Sequence, residues 1–271
     1  MSGASSRTAI LFATPGTTSP EAAAALEKIS TRAAQRFPGL ERRWTYTSRG
    51  IRRKLAARGQ SAPGPQDAFS ALHAAGFRRV AVLSLHLSDG MEYGELAETV
   101  AAHTRGPAAF EGIELSTPLL ACTDDFRRAC AVLLASLPIA PRAGTAAVLV
   151  AHGSKDPQGC RTFASAAALC RQVDPRLLLG VIMGEPSFSD VLQECRAAAV
   201  REVWILPFMV AAGQSAHEDI AGPGETSWKS AFERAGIKCT PILKGLGDYD
   251  GVVDLWLDHL GCILGHLQKA G

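Results

Sequence analysis

Short apolar runs alternate with longer stretches of helical periodicity along the chain. A few consecutive apolar residues between polar boundaries are typical of a strand that is buried on both faces. The predicted strands are 8–13, 42–47, 80–85, 114–119, 147–151, 177–182, 203–210 and 237–243. A segment with apolar residues at helical spacing follows each of them. This alternation predicts parallel sheets connected by right-handed crossovers.

Capping and breaking residues set the predicted helix boundaries. Thr18 can cap a first helix with Glu21 three residues on, and Pro38 ends that helix. Ser187 and Asp190 mark a second helix start of the same kind. The other predicted helices are 51–58, 66–75, 91–103, 124–137, 161–173, 226–234 and 250–269. Residues 138–145 hold two prolines and a glycine, which is typical of a linker.

The two halves of the chain resemble each other. Residues 8–13 correspond to 146–151, and the interval from Val80 to Gly90 equals that from Val203 to Gly213. The pattern predicts an α/β fold with two similar lobes, each a parallel sheet flanked by helices, facing across a cleft. The predicted domains are 1–138 and 139–271, and the terminal helix can pack back on the first lobe.

Composition narrows the class of protein. The chain has 271 residues, of which 47% are hydrophobic and 20% charged, so a packed core is expected. The formal net charge of +2 gives no electrostatic reason to expect a nucleic acid partner. No apolar run is long enough for a membrane helix, and the N-terminus has no hydrophobic signal region, so a cytoplasmic protein without a membrane partner is expected. Seven cysteines without a Cys-x-x-Cys pair indicate reduced thiols.

Polar side chains follow three predicted strands of the second half. His152 comes directly after one strand, Met183 and Glu185 follow the next, and His217 follows the third after a loop of small residues. Because ligands of parallel sheets bind beyond the carboxyl ends of the strands, these side chains are candidates for one site. Two imidazoles and a carboxylate can bind a divalent cation with open positions. Either histidine could instead cap a helix or bond the backbone.

The first half has no such ligands at the corresponding places. Thr14 stands near the place of His152, and Gly94 stands near that of His217. The sequence therefore predicts a polar metal site in one lobe only.

An ordered set of short motifs covers nearly the whole chain. They are 14–18 (TPGTT), 46–48 (YTS), 53–55 (RKL), 84–86 (SLH), 92–93 (EY), 151–153 (AHG), 213–221 (GQSAHEDIA), 227–229 (SWK), 235–237 (AGI) and 245–247 (GLG). Each fragment is weak alone, but the ordered set is specific. The chain resembles the anaerobic, class II sirohydrochlorin cobaltochelatases of cobalamin biosynthesis.

The resemblance implies a two-lobed chelatase that inserts Co²⁺ into sirohydrochlorin, a tetrapyrrole. In that family two histidines and a glutamate hold the metal, and the histidines match His152 and His217. These two are the expected catalytic residues, each a base or metal ligand on one face of the macrocycle. The divalent metal, Co²⁺ or else Fe²⁺ or Ni²⁺, is a substrate, and no organic cofactor is expected.

The glutamate of the family pattern does not match cleanly. The pattern Gly-x-Val-Glu-x-x-Pro meets GVIMGEP at 180–186, which puts Met183 at the glutamate position and Glu185 two residues later. In an extended segment, residues two apart face the same side, so Glu185 could supply the carboxylate. Met183 could instead contact the metal directly and make the site softer, or it could merely pack. The expected metal ligands are His152 and His217, with Glu185 favoured over Met183 as the third.

The resemblance also suggests substrate-binding residues in the first half. These are His86, Thr14, Tyr93 and Glu92, although a histidine such as His86 can also serve as a hydrogen-bonded lining residue. Haem binding at His86 stays open.

A basic cluster at 42–54 includes Arg49, Arg52, Arg53 and Lys54. It is either a solvated helix face or a place where an acidic small molecule binds.

Two alternatives to cobalt insertion stay open. The chain could insert iron or nickel into the same tetrapyrrole, since sequence does not fix the metal. It could also be a tetrapyrrole- or metal-binding protein without catalysis, a reading motivated by Met183. The oligomeric state, including a homo-oligomer, is not determined by the sequence.

Overall fold

The computed structural model describes residues 7–105 and 109–269. Contacts divide these residues into two compact units. Unit 1 contains the described residues within Met1–Thr18, Ile29–Leu119 and Asp254–Gly271, and unit 2 contains Ser19–Lys28 and Leu120–Val253. The helices α1 (Pro20–Arg36) and α9 (Asp250–Lys269) contribute residues to both units. The predicted domain boundary at residue 138 remains a prediction.

Unit 1 is built around a four-stranded sheet of parallel strands. The strands are β1 (Thr8–Thr14), β2 (Glu41–Tyr46), β3 (Arg79–Ser84) and β4 (Gly112–Leu115), in the order β2-β1-β3-β4. Its complete helices are α2 (Arg49–Ala56), α3 (Pro65–Ala74) and α4 (Met91–His103). The central strands β1 and β3 are almost fully buried, which is why both read as continuous apolar runs.

Unit 2 has the same architecture. Its strands are β5 (Thr145–Gly153), β6 (Leu177–Met183), β7 (Glu202–Pro207) and β8 (Lys238–Pro241), again all parallel, in the order β6-β5-β7-β8. Its helices are α5 (Thr123–Ala135), α6 (Pro157–Val173), α7 (Phe188–Ala197) and α8 (Trp228–Arg234).

The two sheets share one strand order, since β2-β1-β3-β4 matches β6-β5-β7-β8 position by position. Ala13 of β1 pairs with Thr45, and the corresponding Ala151 of β5 pairs with Val181. The α/β class with two parallel sheets flanked by helices is therefore confirmed. Within residues 7–105 and 109–269, every helix falls short of the length or the hydropathy that a membrane span requires.

Several boundaries differ from the prediction for local reasons. Ser19, not Thr18, caps α1, because its Oγ accepts a hydrogen bond from the backbone N–H of Ala22 at 3.3 Å. Helix α6 begins at Pro157 rather than 161. There Asp156 Oδ1 accepts hydrogen bonds from the N–H groups of Gln158 and Gly159, both at 3.0 Å.

Strand β7 ends at Pro207 rather than 210. The carbonyls of Met209 and Val210 instead accept hydrogen bonds from Leu246 and Gly247 beyond β8, both at 2.8 Å. Strand β4 ends at Leu115, before Pro118, which cannot donate to a strand ladder.

Candidate metal centre

His152 is the first exposed side chain at the end of a fully buried strand. Residues from Thr145 to Ala151 of β5 are all buried, whereas His152 is exposed. Because β5 lies between β6 and β7, the imidazole stands at the carboxyl end of a central strand. That is the position where ligands of parallel sheets bind.

Gly153 brings the segment of Met183 against the end of β5. Gly153 has φ +83° and is the register partner of Met183. A Cβ at Gly153 would stand 2.0 Å from the carbonyl oxygen of Met183 and 2.8 Å from Cβ of Val181. Only glycine fits this approach, because both the backbone angle and the space exclude a side chain. Met183 therefore neighbours the strand end that carries His152, and it is half-buried.

Glu185 is exposed, two residues beyond the end of β6. The chain then enters α7 through the predicted capping pair, with Asp190 Oδ2 accepting from the N–H of Ser187 at 2.7 Å. Among the described residues, no three His, Cys, Asp or Glu side chains lie close enough to hold a metal ion together. Glu185 therefore does not complete a three-ligand set with His152 and His217 in this structure. The choice between Glu185 and Met183 stays a prediction.

His217 lies on a single turn of π-helix, Ala216–Ile220, which the sequence pattern did not predict. The N–H of Ala221 donates to the carbonyl of Ala216 at 3.1 Å, which closes the wide turn. Ala216 and Ile220 are buried and anchor the turn, while His217 is exposed. Single π-turns of this kind occur frequently at functional sites.

The sheet brings the two histidine-bearing segments to one edge of unit 2. Strands β5 and β7 are parallel neighbours, and the N–H of Phe208 donates to the carbonyl of Val150 at 2.8 Å. The segment after each strand thus starts from the same carboxyl edge. His152 stands two residues beyond Val150, and His217 follows the loop that begins at Phe208.

Glu21 is a carboxylate near His217 that sequence reasoning missed as a site residue. It lies in the first turn of α1, in the part of that helix that belongs to unit 2. A hydrogen bond from Ser19 Oγ is the largest cause that lowers the pKa of Glu21, and the charge of His217 lowers it further. No local motif could have shown this neighbour, because the two residues are far apart in the chain.

His86 of unit 1 is buried, and both of its ring nitrogens form hydrogen bonds. It is 5% exposed and follows β3. Ser84 Oγ lies 2.9 Å from Nδ1, and Thr47 Oγ1 lies 2.9 Å from Nε2. Burial lowers the pKa of His86 from 6.5 to about 4, so the ring is neutral near pH 7.

Thr47 links His86 to Glu92. Its hydroxyl donates to Glu92 Oε2 at 3.2 Å, so Thr47 Oγ1 is free to accept a hydrogen bond from His86 Nε2–H. The hydroxyl of Ser84 then donates to Nδ1. This chain of hydrogen bonds assigns the proton of the neutral ring to Nε2.

Three of the predicted substrate-binding residues thus lie together in unit 1. Tyr93 stacks edge-on against His86 with ring centroids 6.1 Å apart, and its hydroxyl donates to the carbonyl of Ser116 at 3.3 Å. Glu92 joins them through Thr47. The fourth, Thr14, is buried, and its hydroxyl accepts from the N–H of Gly16 at 3.2 Å. Substrate binding by these four residues stays a prediction.

Comparison with known proteins gives one consistent family. The model of a family described as cobalt chelatase (CbiK) matches residues 8–264. A sirohydrochlorin cobaltochelatase, CbiKC, of Nitratidesulfovibrio vulgaris is 37% identical over 251 residues, covering 93% of this chain and 88% of its own. The sirohydrochlorin cobaltochelatase of Salmonella typhimurium is 30% identical, covering 79% of this chain and 80% of its own.

The fold is also shared with solved structures of lower sequence identity. SirB from Bacillus subtilis, solved with Fe³⁺, has a TM-score of 0.61 and 15% identity, and covers 94% of each chain. CbiX, described as the terminal enzyme of sirohaem biosynthesis in denitrifying bacteria, has a TM-score of 0.58 and 18% identity. At these identities the likeness shows the fold alone.

Proposed function

This chain belongs to the CbiK family of cobalt chelatases, and we propose that it inserts Co²⁺ into sirohydrochlorin. Both relatives described above bear the name of that activity. The observation that carries the proposal is the pair of exposed imidazoles, His152 and His217, which follow neighbouring strands at one edge of unit 2. The metal is a substrate of the reaction rather than a resident cofactor.

Metal insertion requires two kinds of chemistry that imidazole can provide. Two pyrrole N–H protons must leave the macrocycle, and the metal ion must lose water. A neutral imidazole can accept a proton or bind a divalent metal near pH 7. We assign to His152 both metal binding and acceptance of a pyrrole proton. We assign to His217 binding of the metal ion before its transfer to the macrocycle. Their exposure suits ligands that must release the metal, because solvent and macrocycle can both reach them.

The sequence favours Glu185 as the third ligand, but we propose Met183 for the third position at the metal. Met183 is the register partner of Gly153, and Gly153 directly follows His152. Met183 also stands at the position where the family pattern has glutamate. Glu185 is exposed and forms no three-ligand set with the two histidines among the described residues. A thioether is a softer and more weakly binding group than a carboxylate for cobalt. We therefore expect loose metal binding by the protein alone.

Substitution of each histidine tests the proposal. His152→Ala and His217→Ala should each slow insertion of Co²⁺ into sirohydrochlorin by roughly a hundredfold or more, since each removes a ligand or a base. The assay is the anaerobic absorbance change of sirohydrochlorin on metal insertion. His266→Ala is the matched control, because the side chain of His266 is 56% exposed and lies on α9, in unit 1. Near-normal turnover of His152→Ala would contradict the assigned role.

The same assay separates cobalt insertion from the alternatives. Co²⁺, Ni²⁺ and Fe²⁺ are offered in turn to the wild-type protein under identical conditions. Faster insertion of nickel or iron would replace cobalt as the proposed metal. Tight binding of sirohydrochlorin without a spectral change for any metal would instead indicate a carrier without catalysis.

A further inference from the structure

Helix α2 presents a row of arginines on one face. Arg52 and Arg53 come three and four residues after Arg49, so each of them is a neighbour of Arg49 on the helix surface. The helix lies in unit 1, and all contacts described below are within that unit. A row of like charges destabilises a short helix unless something else compensates it.

Two adjoining cavities share these arginines. One, of about 210 Å³, is lined by Arg49 and Arg52 together with residues of α3 and α4. The other, of about 310 Å³, is lined by Arg49, Arg52, Arg53, Ala56 and Ala62, so that it has three cations and no acid in its wall. Arg52 therefore lines both a half-open pocket that also contains acids and a more open pocket whose only charged residues are arginines.

Arg52 lacks a partner within the described chain. Its Nε is buried and makes no hydrogen bond, and its guanidinium forms no ion pair with any described residue. A buried guanidinium nitrogen without an acceptor is costly, since its desolvation is not compensated, although the residue as a whole is only half-buried. Gly64 leaves the room for it, because a Cβ there would stand 2.5 Å from Nη1 of Arg52. The fold thus accommodates the unpaired cation without satisfying it.

The acids of the smaller cavity are already occupied. Asp67 Oδ2 accepts from the N–H of Gly64 at 3.3 Å, and Glu92 accepts from Thr47 at 3.2 Å. Glu95 pairs with Arg49 at 3.2 Å. Each carboxylate thus has a partner elsewhere, which leaves the hydrogen-bonding fork of Arg52 available to a ligand.

We propose that Arg52, flanked by Arg49 and Arg53, is a carboxylate-binding subsite for an acidic side chain of the tetrapyrrole substrate. The two Nη groups of the planar guanidinium can donate two parallel hydrogen bonds to a carboxylate, whereas the buried Nε is out of a ligand's reach. Partial burial strengthens these bonds. The identity of the ligand rests on the proposed function, since sirohydrochlorin carries many carboxylates. The subsite itself rests on the unpaired guanidinium and the cationic cavity.

Binding of metal-free porphyrins tests the subsite without relying on metal insertion. Fluorescence titrations compare uroporphyrin, with free acetate and propionate groups, and coproporphyrin, in which methyl groups replace the acetates. Arg52→Gln should weaken uroporphyrin binding by about ten- to one-hundredfold, the range for charge-assisted hydrogen bonds. Arg42→Gln is the matched control, because Arg42 is an exposed residue of β2 that lines neither cavity. Added salt should weaken wild-type binding more than that of Arg52→Gln.

The outcomes separate the subsite from the proposed function. Selective loss for Arg52→Gln, with wild-type thermal stability and with Arg42→Gln unaffected, supports the subsite even if wild type inserts no metal. Equal uroporphyrin binding by Arg52→Gln and wild type would overturn it, as would failure of wild type to bind either porphyrin. Inorganic phosphate is titrated separately, and phosphate binding that depends on Arg52 without a matching loss for uroporphyrin would overturn the assignment to the tetrapyrrole.

Discussion

Acidification should destabilise unit 1 through His86. Burial lowers the pKa of His86 in the folded protein to about 4, against 6.5 when exposed. As the pH falls from about 6.5 to about 4, His86 therefore becomes protonated in the unfolded chain but stays neutral in the folded chain. The contribution is fully favourable above the unfolded pKa and is lost as the pH falls towards the folded pKa. At about pH 5 the difference is roughly 2 kcal/mol, at about 1.4 kcal/mol per pKa unit.

The pKa of His86 depends on the groups that surround its ring. Ser84 and Thr47 contact the nitrogens, Glu92 approaches through Thr47, and Tyr93 stacks against the ring. Of these only Glu92 is an acidic residue, and a carboxylate favours a protonated ring. Its reach is indirect, because the Thr47 hydroxyl stands between the carboxylate and His86 Nε2. Asp89 acts on Tyr93 rather than on His86. Burial is the largest cause that raises the pKa of Tyr93, and the charge of Asp89 raises it further.

His86→Gln tests the linkage. The amide of glutamine can still donate to Thr47 but does not titrate, so the variant should lose about 2 kcal/mol less than wild type between about pH 8 and about pH 5. Urea unfolding is followed by pulsed hydrogen–deuterium exchange at fixed pH, using the peptide that covers β3. This readout belongs to unit 1 and avoids assuming that both units unfold together.

The comparison uses the change with pH rather than absolute stability, because His86→Gln also loses the hydrogen bond of Ser84. His266→Gln serves as the exposed control and should follow wild type. Identical pH dependence in wild type and His86→Gln would refute the argument that the buried ring resists protonation.

Two further predictions concern unit 2. Met183→Glu should tighten Co²⁺ binding to the substrate-free protein by roughly tenfold, by restoring a carboxylate beside His152, whereas Glu185→Gln should leave it unchanged. Calorimetric titration measures both, and a loss of binding confined to Glu185→Gln would assign the third ligand to Glu185 instead. Gly180→Ala should cost about 1–3 kcal/mol by overpacking, because the new Cβ would stand 2.4 Å from the ring of Trp228. Gly224→Ala, at a glycine with open space around it, should change the melting temperature little.

The regular part of the fold was accessible from the sequence. Buried parallel strands such as β1 and β5 are continuous apolar runs, and the repeat of Val80–Gly90 in Val203–Gly213 indicated two sheets of one topology. The errors lie where a single side chain decides a boundary. Ser19 caps α1 in place of Thr18, and propensity alone cannot choose between neighbouring hydroxyls.

The site was accessible only in part. Strand ends pointed to His152 and His217, but the π-turn that presents His217 depends on carbonyls and buried anchors that have no periodic signal. The Thr47–His86 hydrogen bond joins residues that are 39 apart, and the unpaired Arg52 depends on room left by Gly64. Such long-range contacts require the fold before they can be seen.

Because the two sheets share one strand order, a strand end in unit 1 can serve as an internal control for its counterpart in unit 2. Thr14 of β1 occupies the place that His152 occupies in β5, within sheets of one strand order. A substitution at a strand end in unit 2 can therefore be repeated at its counterpart in unit 1, under the same solvent and in the same preparation. The difference between the two responses measures what the histidine-bearing edge adds beyond the common scaffold.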